Sequence, residues 1–428
     1  MNPWQGILSL AGLQADFEIV DVKQFRTSQR LELHLKRRDR AGRCSHCGER
    51  SKRVHSSDWV RLRDLPCFEY RVFLVVERLT IHCSRCRSYR VESLWLSRSR
   101  RDFTWRYEKH ISKLCEETTN AAVGRLEGLN DKTVYNIDYE LLQLRLTQQP
   151  PPLDTGPNYS MDEVHWRSFP SWHENNRVEF ITNLVDLTHR KVITNSPGRD
   201  QKAAENCLLW LSSEQRDEVK AVAVDLHDPF ISAIKSHCRN ASIVLDRFHI
   251  MQLFSEAMNE FRKQQLNLAD DSEEIHLLKG KFKWLLLTHP RKLSKTGKSF
   301  LEELKSLNER VIEALIIRDQ LVHFFEATEI GEAKRRWGKF SDLVAEADIK
   351  PFNIFLIRMQ KWLPLMWNYF HCKISSAVIE AINHKVKTVR SMAYGYRNRF
   401  YYQLKILQRV GFLNSRYWQF PVNQGEIA

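Results

Sequence analysis

Residues 219–249 read VKAVAVDLHDPFISAIKSHCRNASIVLDRFH. The apolar run VKAVAVD ends in Asp225, Pro229 is placed to start the next helix, and SIVLD is a further apolar run that ends in Asp246. Strands of a parallel sheet are buried on both faces and therefore read as continuous apolar runs, and proline is favoured in the first turn of a helix. This stretch predicts a strand, a helix and a second strand, with an acid closing each strand.

Upstream of this stretch, the chain predicts three consecutive strands and a helix. The strands are YSMDEVHW (159–166), RVEFITNLVDL (177–187) and RKVITNS (190–196), and the helical run is QKAAENCLLWL (201–211). The complete order of elements is that of a ribonuclease-H-like α/β fold. In this fold the middle of the first strand lies beside the end of the fourth, so we expect Asp162 and Asp225 to converge.

A third carboxylate is expected from a later helix, and the best candidate is Glu380 in KISSAVIEAINHKVKTVRSMAYG (373–395). Three carboxylates can hold two divalent ions, one activating a water or a 3′-hydroxyl and the other stabilising the leaving oxygen. Their hard oxygen ligands favour Mg²⁺ or Mn²⁺. On a helical wheel Glu380 shares a face with Asn383, His384 and Lys387, of which we take Asn383 and Lys387 as supporting residues. A solvated helix face would give the same pattern.

The other acids also have structural alternatives. Asp162 and Asp225 lie within or at the end of apolar strands, which is unusual for acids, although each could have a purely structural role. Asp246 competes with Asp225 because it closes the adjacent strand, three residues before His249. It could bind metal, position the site or cap a helix.

Two CxxC pairs near the N-terminus predict one structural zinc site. Each pair places two thiolates on one side of a tetrahedral ion, and two such pairs complete a closed site. The four ligands are Cys44, Cys47, Cys83 and Cys86. Two chance pairs of thiols are the alternative. The remaining five of the nine cysteines are expected to be small hydrophobic residues.

Residues 107–146 predict three helices, with a short turn at Gly128-Leu129-Asn130-Asp131. The spacing fits a helix-turn-helix in which Val134, Ile137 and Leu141 pack inward. The outward side chains, which would contact DNA, are Lys132, Thr133 and Asn136. Any small three-helix bundle would show the same pattern.

Composition favours a modular protein with a polyanionic partner. The 428 residues carry 66 Lys and Arg against 52 Asp and Glu, a net charge of +14, and lysines and arginines that neutralise phosphates release condensed counterions. The N-terminus lacks a basic lead before its short apolar stretch, and the later apolar runs are interrupted by charges, so we expect a cytoplasmic protein that does not contact membranes.

The fold class expected from these patterns is multidomain α+β. It comprises a small zinc ribbon, a helical helix-turn-helix domain and a ribonuclease-H-like α/β catalytic domain with a large all-helical insertion. The expected boundaries are 1–100 for the N-terminal domain with the ribbon, 101–148 for the helix-turn-helix, 149–157 for a proline-rich linker, 158–249 with 373–412 for the catalytic domain, 250–372 for the insertion and 413–428 for a C-terminal tail.

Several motifs together resemble the ISL-three (ISL3) family of bacterial insertion-sequence transposases. They are CSRCR (83–87), RDLP (63–66), MDEVHW (161–166), VAVDLHDPF (222–230), IVLDRFHIMQLF (243–254) and IEAINHKVKTVRSMAYGYRN (379–398). The resemblance covers nearly the whole chain. One departure is SFPSWHENN (168–176), which is longer than the compact turn typical of the family.

The resemblance implies a DDE transposase whose triad is Asp162, Asp225 and Glu380, with Asp246 and His249 supporting it. It also implies that the ribbon and the helix-turn-helix bind the terminal inverted repeats of double-stranded DNA. The enzyme would then cut the element ends, join them to target DNA and act as a homodimer in the synaptic complex, associated with the bacterial nucleoid. A DNA-binding regulator derived from a transposase, without cleavage activity, and a nuclease-only enzyme of the same fold are the alternatives.

Overall fold

The computed structural model describes most of the chain and divides it into two compact units. The described residues are 6, 8, 11–98, 101–148, 154–168, 178–270, 272–279, 293–372, 374, 376–393 and 395–417. One unit comprises the described residues of Met1–Pro150 and Leu413–Ala428, and the other those of Pro151–Phe412. Most of SFPSWHENN, the first part of the predicted linker and the end of the predicted tail lie outside the described residues.

A five-stranded sheet forms the first part of the N-terminal unit. The strands of this region are β1 (Phe17–Phe25), β2 (Arg30–Arg37), β3 (Gly42–Arg43), β4 (Arg50–Ser51), β5 (Val54–Arg63), β6 (Arg71–Cys83) and β7 (Ser88–Val91). The sheet runs β1-β2-β6-β5, with β7 also pairing with β6, while β3 and β4 form a separate small hairpin. Alternate residues of β2 and β6, such as Leu35 and Val76, are fully buried, as expected for strands with one face on a core. The first CxxC pair lies between β3 and β4 and the second lies where β6 leads into β7, so both pairs lie at one end of this sheet.

Three helices follow the sheet: α1 (Trp105–Glu117), α2 (Asn120–Glu127) and α3 (Asp131–Gln148). Val134, Ile137 and Leu141 of α3 are fully buried, as the helical spacing predicts. The turn between α2 and α3 needs glycine twice. Gly128 ends α2 with a left-handed φ of 62°, and a Cβ on Gly124 would lie 2.8 Å from the carbonyl oxygen of Leu129.

The RDLP motif connects the sheet to the helices. Arg63 at the end of β5 donates to the Glu127 carbonyl at 2.6 Å, and its guanidinium lies 4.7 Å from the centre of the Tyr107 ring. Asp64, only 3% exposed, accepts from the Thr104 hydroxyl at 2.7 Å and from Arg106 Nε at 2.6 Å. Sheet and helices therefore share buried, charge-assisted hydrogen bonds within one compact unit.

The first residues of the predicted C-terminal tail also belong to the N-terminal unit. The buried Arg145 guanidinium of α3 donates to the Leu413 carbonyl at 3.0 Å and to the Glu116 carboxylate at 3.2 Å. Glu116 in turn accepts from the Ser415 amide at 2.8 Å and hydroxyl at 2.7 Å. The chain thus returns to this unit after the second unit is complete.

A second five-stranded sheet forms the centre of the other unit. Its strands are β8 (Asn158–Ser168), β9 (Val178–Asp186), β10 (Lys191–Pro197), β11 (Ala221–Val224) and β12 (Ser242–Leu245), in the order β10-β9-β8-β11-β12. β8, β9 and β10 are antiparallel neighbours, whereas β11 runs parallel to both β8 and β12. The intervening helices are α4 (Gln201–Leu208), α5 (Ser213–Asp217) and α6 (Asp228–His237). The succession of strands and helices is the one that the apolar runs predict, with the short helix α5 as an addition that was not predicted.

The remaining elements are helical. They are α7 (Arg247–Leu268), α8 (Ser272–Leu278), α9 (Lys295–Leu307), α10 (Glu309–Phe325), α11 (Ile330–Ala347), α12 (Lys350–Met366), α13 (Asn368–Cys372), α14 (Ser376–Met392) and α15 (Arg399–Val410), followed by a 3-10 turn at Ser415–Tyr417. Phe254, Trp337 and Trp362 are buried in an apolar core that is continuous with the sheet residues Met161 and Val224. Within the described part of the chain, no helix is both long and apolar enough to cross a membrane.

Candidate active site and zinc site

Asp162 and Asp225 are brought together by the pairing of two parallel strands. Met161 of β8 is the register partner of Val224 of β11, so the next residue on each chain is one of the two acids. Side chains alternate between the faces of a strand, which puts both acids on the face that carries Ala223. This confirms the convergence that the order of elements predicts.

His249 lies in the same cluster. Its Nε2 is 2.6 Å from Oδ1 of Asp225, and ligand atoms of Asp162, Asp225 and His249 all lie within 4.8 Å of one another. Asp246 positions this histidine because it caps α7: its Oδ1 accepts from the Phe248 amide at 3.0 Å, and its carbonyl accepts from the His249 amide at 3.2 Å. Of the roles considered for Asp246, helix capping is therefore observed.

The two acids share one crowded electrostatic environment. Burial and the neighbouring charges of Asp225 and Glu163 raise the pKa of Asp162 to about 7. Burial lowers the pKa of His249, but its hydrogen bond to Asp225 and the nearby carboxylates outweigh this effect and leave the pKa raised. An imidazolium, a proton or a metal cation relieves the repulsion between the carboxylates. The cluster therefore favours a bound positive charge.

Helix α14 covers this face of the sheet. Ile379 packs against Ala223 and Val244, and the Asn383 amide donates a hydrogen bond to Oδ2 of Asp162. Glu380, one turn before Asn383, is exposed. The cluster of mutually close ligand atoms found among the described residues contains the two aspartates and His249, without the Glu380 carboxylate.

Glu380 nevertheless acts electrostatically on this region. Burial raises the pKa of Asp246, and the charges of Asp225 and Glu380 add to that increase. Lys387, one turn after Asn383 on the same helix, is exposed. The helix thus brings Asn383 into contact with the acids and leaves Glu380 and Lys387 at the solvent side.

Glu163 was not predicted as a site residue. Its Oε2 is buried without a hydrogen-bond partner in the described structure, and burial together with the charge of Asp225 raises its pKa. The only signal in the sequence is its position directly after Asp162, where strand alternation would place it on the opposite face. The charge of Glu163 therefore acts on the predicted pair, although the sequence pattern does not mark this residue as part of the site.

The four predicted zinc ligands form one cluster. Their sulfur atoms all lie within 4.8 Å of one another, with the Cys44 and Cys86 sulfurs 3.9 Å apart and the Cys47 and Cys83 sulfurs 3.5 Å apart. Burial opposes ionisation of Cys44, but hydrogen bonds from the backbone of Cys47 and His46 and from the neighbouring thiols lower its pKa to about 7. Four convergent thiols, one of them readily ionised, suit a structural zinc ion.

The predicted DNA-contacting residues lie in the first turns of α3. Lys132 is exposed, whereas Thr133 and Asn136 are half-buried. Asn130 caps the helix, since its Oδ1 accepts from the Lys132 amide at 2.9 Å. These positions keep the start of α3 at the surface while its apolar face packs on α1 and α2.

Comparison with models of known protein families assigns the chain to a family. A model described as "Transposase", of the ISL3 DDE type, matches residues 160–406, and a model described as the zinc-finger of the transposases of IS204, IS1001, IS1096 and IS1165 matches residues 40–86. The first match alone spans more than half of the chain. The chain belongs to the ISL3 family of insertion-sequence transposases.

Two transposases of known insertion sequences match most of the length of this ISL3 member. The transposase for insertion sequence element IS1001 of Bordetella parapertussis is 30% identical over 379 residues, which are 88% of this chain and 90% of the relative. The transposase for insertion sequence element IS1557 of Mycobacterium tuberculosis is 20% identical over 379 residues, with 83% of each chain covered. The zinc-finger match includes all four cysteines, and the transposase match includes both aspartates, His249 and Glu380.

Proposed function

We propose that this ISL3 member is an active DDE transposase whose triad is Asp162, Asp225 and Glu380. The observation that carries this proposal is the side-by-side placement of Asp162 and Asp225 on one face of a sheet, beneath the helix that bears Glu380. The strand order β10-β9-β8-β11-β12, with three antiparallel strands followed by two parallel ones, supports a ribonuclease-H-like catalytic domain. The helices between β12 and α14 would be its insertion.

The donor set fits divalent metal ions. Asp162 and Asp225 offer hard oxygen ligands within 4.8 Å of each other, and the raised pKa of Asp162 supports a site that is stabilised by a positive charge. Such ligands suit Mg²⁺ or Mn²⁺, and we propose two ions held by Asp162, Asp225 and Glu380. Bound ions would supply Lewis-acid stabilisation of charge on the attacking and leaving oxygens.

The surrounding residues orient the acids. The Asn383 amide fixes one oxygen of Asp162, and the backbone amide of Glu163 binds the other at 2.7 Å. His249 fixes Asp225 from the start of α7. Holding the carboxylates in one geometry before the substrate arrives avoids reorganisation during the reaction.

The reaction that we propose has two chemical steps and no covalent enzyme intermediate. In the first, water attacks the phosphodiester at an element end, the bond to the 3′ oxygen breaks, and a 3′-hydroxyl and a 5′-phosphate result. In the second, this 3′-hydroxyl attacks a target phosphodiester, forms a new phosphodiester with its 5′ side and releases a target 3′-hydroxyl. Both steps displace an oxygen at phosphorus. A pair of bound metal ions would stabilise the attacking and the leaving oxygens in each step.

The N-terminal unit would recognise double-stranded DNA. We propose that the zinc-bearing sheet and a helix-turn-helix formed by α1, α2 and α3 bind the terminal inverted repeats, with Lys132, Thr133 and Asn136 facing the major groove. The exposed Lys132 and the capped, exposed start of α3 support this assignment. We propose that the chain acts as a homodimer during synapsis, because two element ends have to be paired.

The test is Mg²⁺-dependent cleavage and strand transfer on DNA that carries the terminal repeats of the element. We expect Asp162→Ala, Asp225→Ala and Glu380→Ala to abolish both steps and to bind DNA as well as the wild type. Asp228→Ala is the matched control, because this acid lies three residues after Asp225 but is 61% exposed and pairs with Lys361. It should remain active.

Other outcomes would redirect the assignment. Activity of Glu380→Ala, or loss of activity in Asp246→Ala with a preserved fold, would reject the proposed triad. Wild-type protein that binds the repeats without cutting them would be a regulator. Cleavage without joining of a pre-cleaved end would identify a nuclease.

A further inference from the structure

The turn between β5 and β6 carries an exposed phenylalanine in a left-handed conformation. Cys67 and Tyr70 exchange both backbone hydrogen bonds at 3.0 Å, so Phe68 and Glu69 form a two-residue turn. Phe68 has a φ of 52°, and its exposure of 93% exceeds that of the other exposed large hydrophobic residues described. The left-handed region disfavours a bulky side chain, and this ring gains almost nothing from burial.

The turn between β1 and β2 lies beside it. Gln24 donates to the Tyr70 hydroxyl at 2.7 Å, and Arg71 donates through its guanidinium to the Ser28 carbonyl at 3.0 Å. The Arg71 amide also donates to the Gln29 carbonyl at 2.8 Å. The two turns therefore lie side by side at one end of the sheet. These hydrogen bonds hold the turn between β5 and β6 against the turn between β1 and β2.

This end of the sheet adjoins the start of α3. The Arg71 Nη1 atom lies 3.9 Å from the position that a Cβ on Gly128 would occupy, and Gly128 precedes α3 by three residues. The exposed or half-buried cations of this surface are Arg26, Arg30, Arg71 and Lys132, and the acids beside them are Glu69, Asp131 and Glu32, which pairs with Arg30 at 3.4 Å. We call the two turns, with Phe68 and these four cations, the turn surface.

We propose that the turn surface binds duplex DNA and that Phe68 is an apolar wedge against a base step. This inference rests on the proposed function, since it requires α3 to face the same DNA. The excess of cations matches the phosphate backbone, and the neighbouring ring matches the apolar side chains with which some DNA-binding proteins unstack base steps. A partner that offers both anionic and flat apolar surface explains why an exposed aromatic ring occupies a strained turn.

The test compares Phe68→Gly with wild type as full-length, zinc-loaded protein. Fluorescence anisotropy at fixed salt measures binding to a duplex of the terminal repeat, and 2-aminopurine at successive positions reports local unstacking. We expect binding to weaken about tenfold, since a base stacked on an aromatic contributes a factor of this order. The 2-aminopurine signal of the wild type should disappear, while the midpoint of unfolding stays the same or rises because glycine relieves the positive φ.

Two further variants sharpen the result. Leu268→Ala removes another exposed large apolar side chain, 74% exposed at the end of α7 in the other unit, and should leave affinity unchanged. Arg26→Ala should lower the dependence of binding on salt, whereas Phe68→Gly should leave it unchanged because an apolar contact releases no counterions.

The failures of the two proposals can be distinguished. Wild-type affinity in Phe68→Gly, or equal weakening in Leu268→Ala, would overturn the wedge and leave the catalytic triad untouched. A change in sedimentation with unchanged DNA affinity would overturn it as well, and would place the ring against a second copy of the chain. Cleavage by Asp162→Ala would reject the triad without affecting the wedge.

Discussion

The Oδ1 atom of Asp225 lies 2.6 Å from Nε2 of His249. The two residues come from different elements, since Asp225 follows β11 and His249 lies in the first turn of α7. The contact places an imidazole, whose pKa is raised mainly by this carboxylate in spite of burial, among the acids of the proposed site. His249 therefore balances the charge of Asp225 and fixes its orientation.

This geometry predicts a graded effect of changing His249. We expect His249→Asn to reduce the cleavage rate about 10- to 100-fold, the usual loss when a residue that orients a metal ligand is removed. Asp225→Ala should instead abolish cleavage. Cleavage rates at several Mg²⁺ concentrations check this, and a His249→Asn protein as inactive as Asp225→Ala would mean that the histidine takes part in the chemistry directly.

Asn383 predicts a second positioning effect. Its amide donates to Oδ2 of Asp162, so Asn383→Ala frees one carboxylate oxygen in a half-buried site. We expect the cleavage rate to fall about tenfold and DNA binding to stay unchanged. His384→Ala is the control, because His384 is the next residue on α14 and is exposed. Equal losses in both variants would point to a general disturbance of the helix.

Much of the second unit could be predicted because each of its strands is recognisable from a short stretch of sequence. Continuous apolar runs closed by Asp225 and Asp246 mark parallel strands, and their order after three earlier strands determines which acids become neighbours. The helical repeat likewise identifies Val134 and Ile137 as buried. These features depend on periodicity within single elements.

Contacts between distant elements could not be predicted in this way. His249 joins the acids only because Asp246 caps α7 at the required place, and Arg63 reaches Glu127 across a gap of 64 residues. The buried Glu163 oxygen without a hydrogen-bond partner could not be predicted either. The alternation of side chains along the strand assigns Glu163 to the face opposite Asp162, so the sequence gives no reason to include it in the site. Side-chain geometry decides such contacts, and residue spacing does not encode it.

The cysteine cluster predicts a link between zinc and the stability of the N-terminal unit. Cys86→Ser removes one of four convergent sulfurs, so we expect zinc to be lost and this unit to unfold at lower temperature. The zinc content of the purified protein and its thermal unfolding test this. Cys67→Ser, at a half-buried cysteine outside the cluster, should retain one zinc per chain, and retention of zinc by Cys86→Ser would contradict the assignment.

Asp64 predicts how strongly the sheet and the helices are coupled. Asp64→Asn removes the charge that faces Arg106 at a position only 3% exposed. We expect the free energy of unfolding to fall by about 1–2 kcal/mol, since the charge-assisted hydrogen bonds of Asp64 are lost while Arg106, 32% exposed, keeps contact with water. Asp39→Asn is the control, because Asp39 is half-exposed in its pair with Arg50 and should cost less than about 1 kcal/mol. Equal costs in denaturant unfolding would show that the RDLP contact does not couple the two parts.

Glu127 predicts loss of stability in acid. Hydrogen bonds from His110 and Tyr107 and the charge of Arg63 lower the pKa of Glu127, against the effect of burial. A carboxyl with a lowered pKa in the folded state stabilises the fold above its unfolded pKa, for which the reference value is 4.5. This contribution disappears as the pH falls through the lower, folded value.

We therefore expect the N-terminal unit of the full-length protein to lose stability progressively as the pH falls below about 4.5. Guanidinium unfolding at pH 7, at roughly pH 5 and at roughly pH 3.5, followed by the hydrogen exchange of amides in α1 and α2, measures this dependence. Glu127→Gln should be less stable at pH 7 and should lose part of the acid-dependent decline, whereas Glu117→Gln, at an exposed position at the end of α1, should behave as the wild type. An unchanged acid-dependent decline in Glu127→Gln would assign the pH dependence to other carboxylates, because the mutant lacks the group whose protonation is invoked.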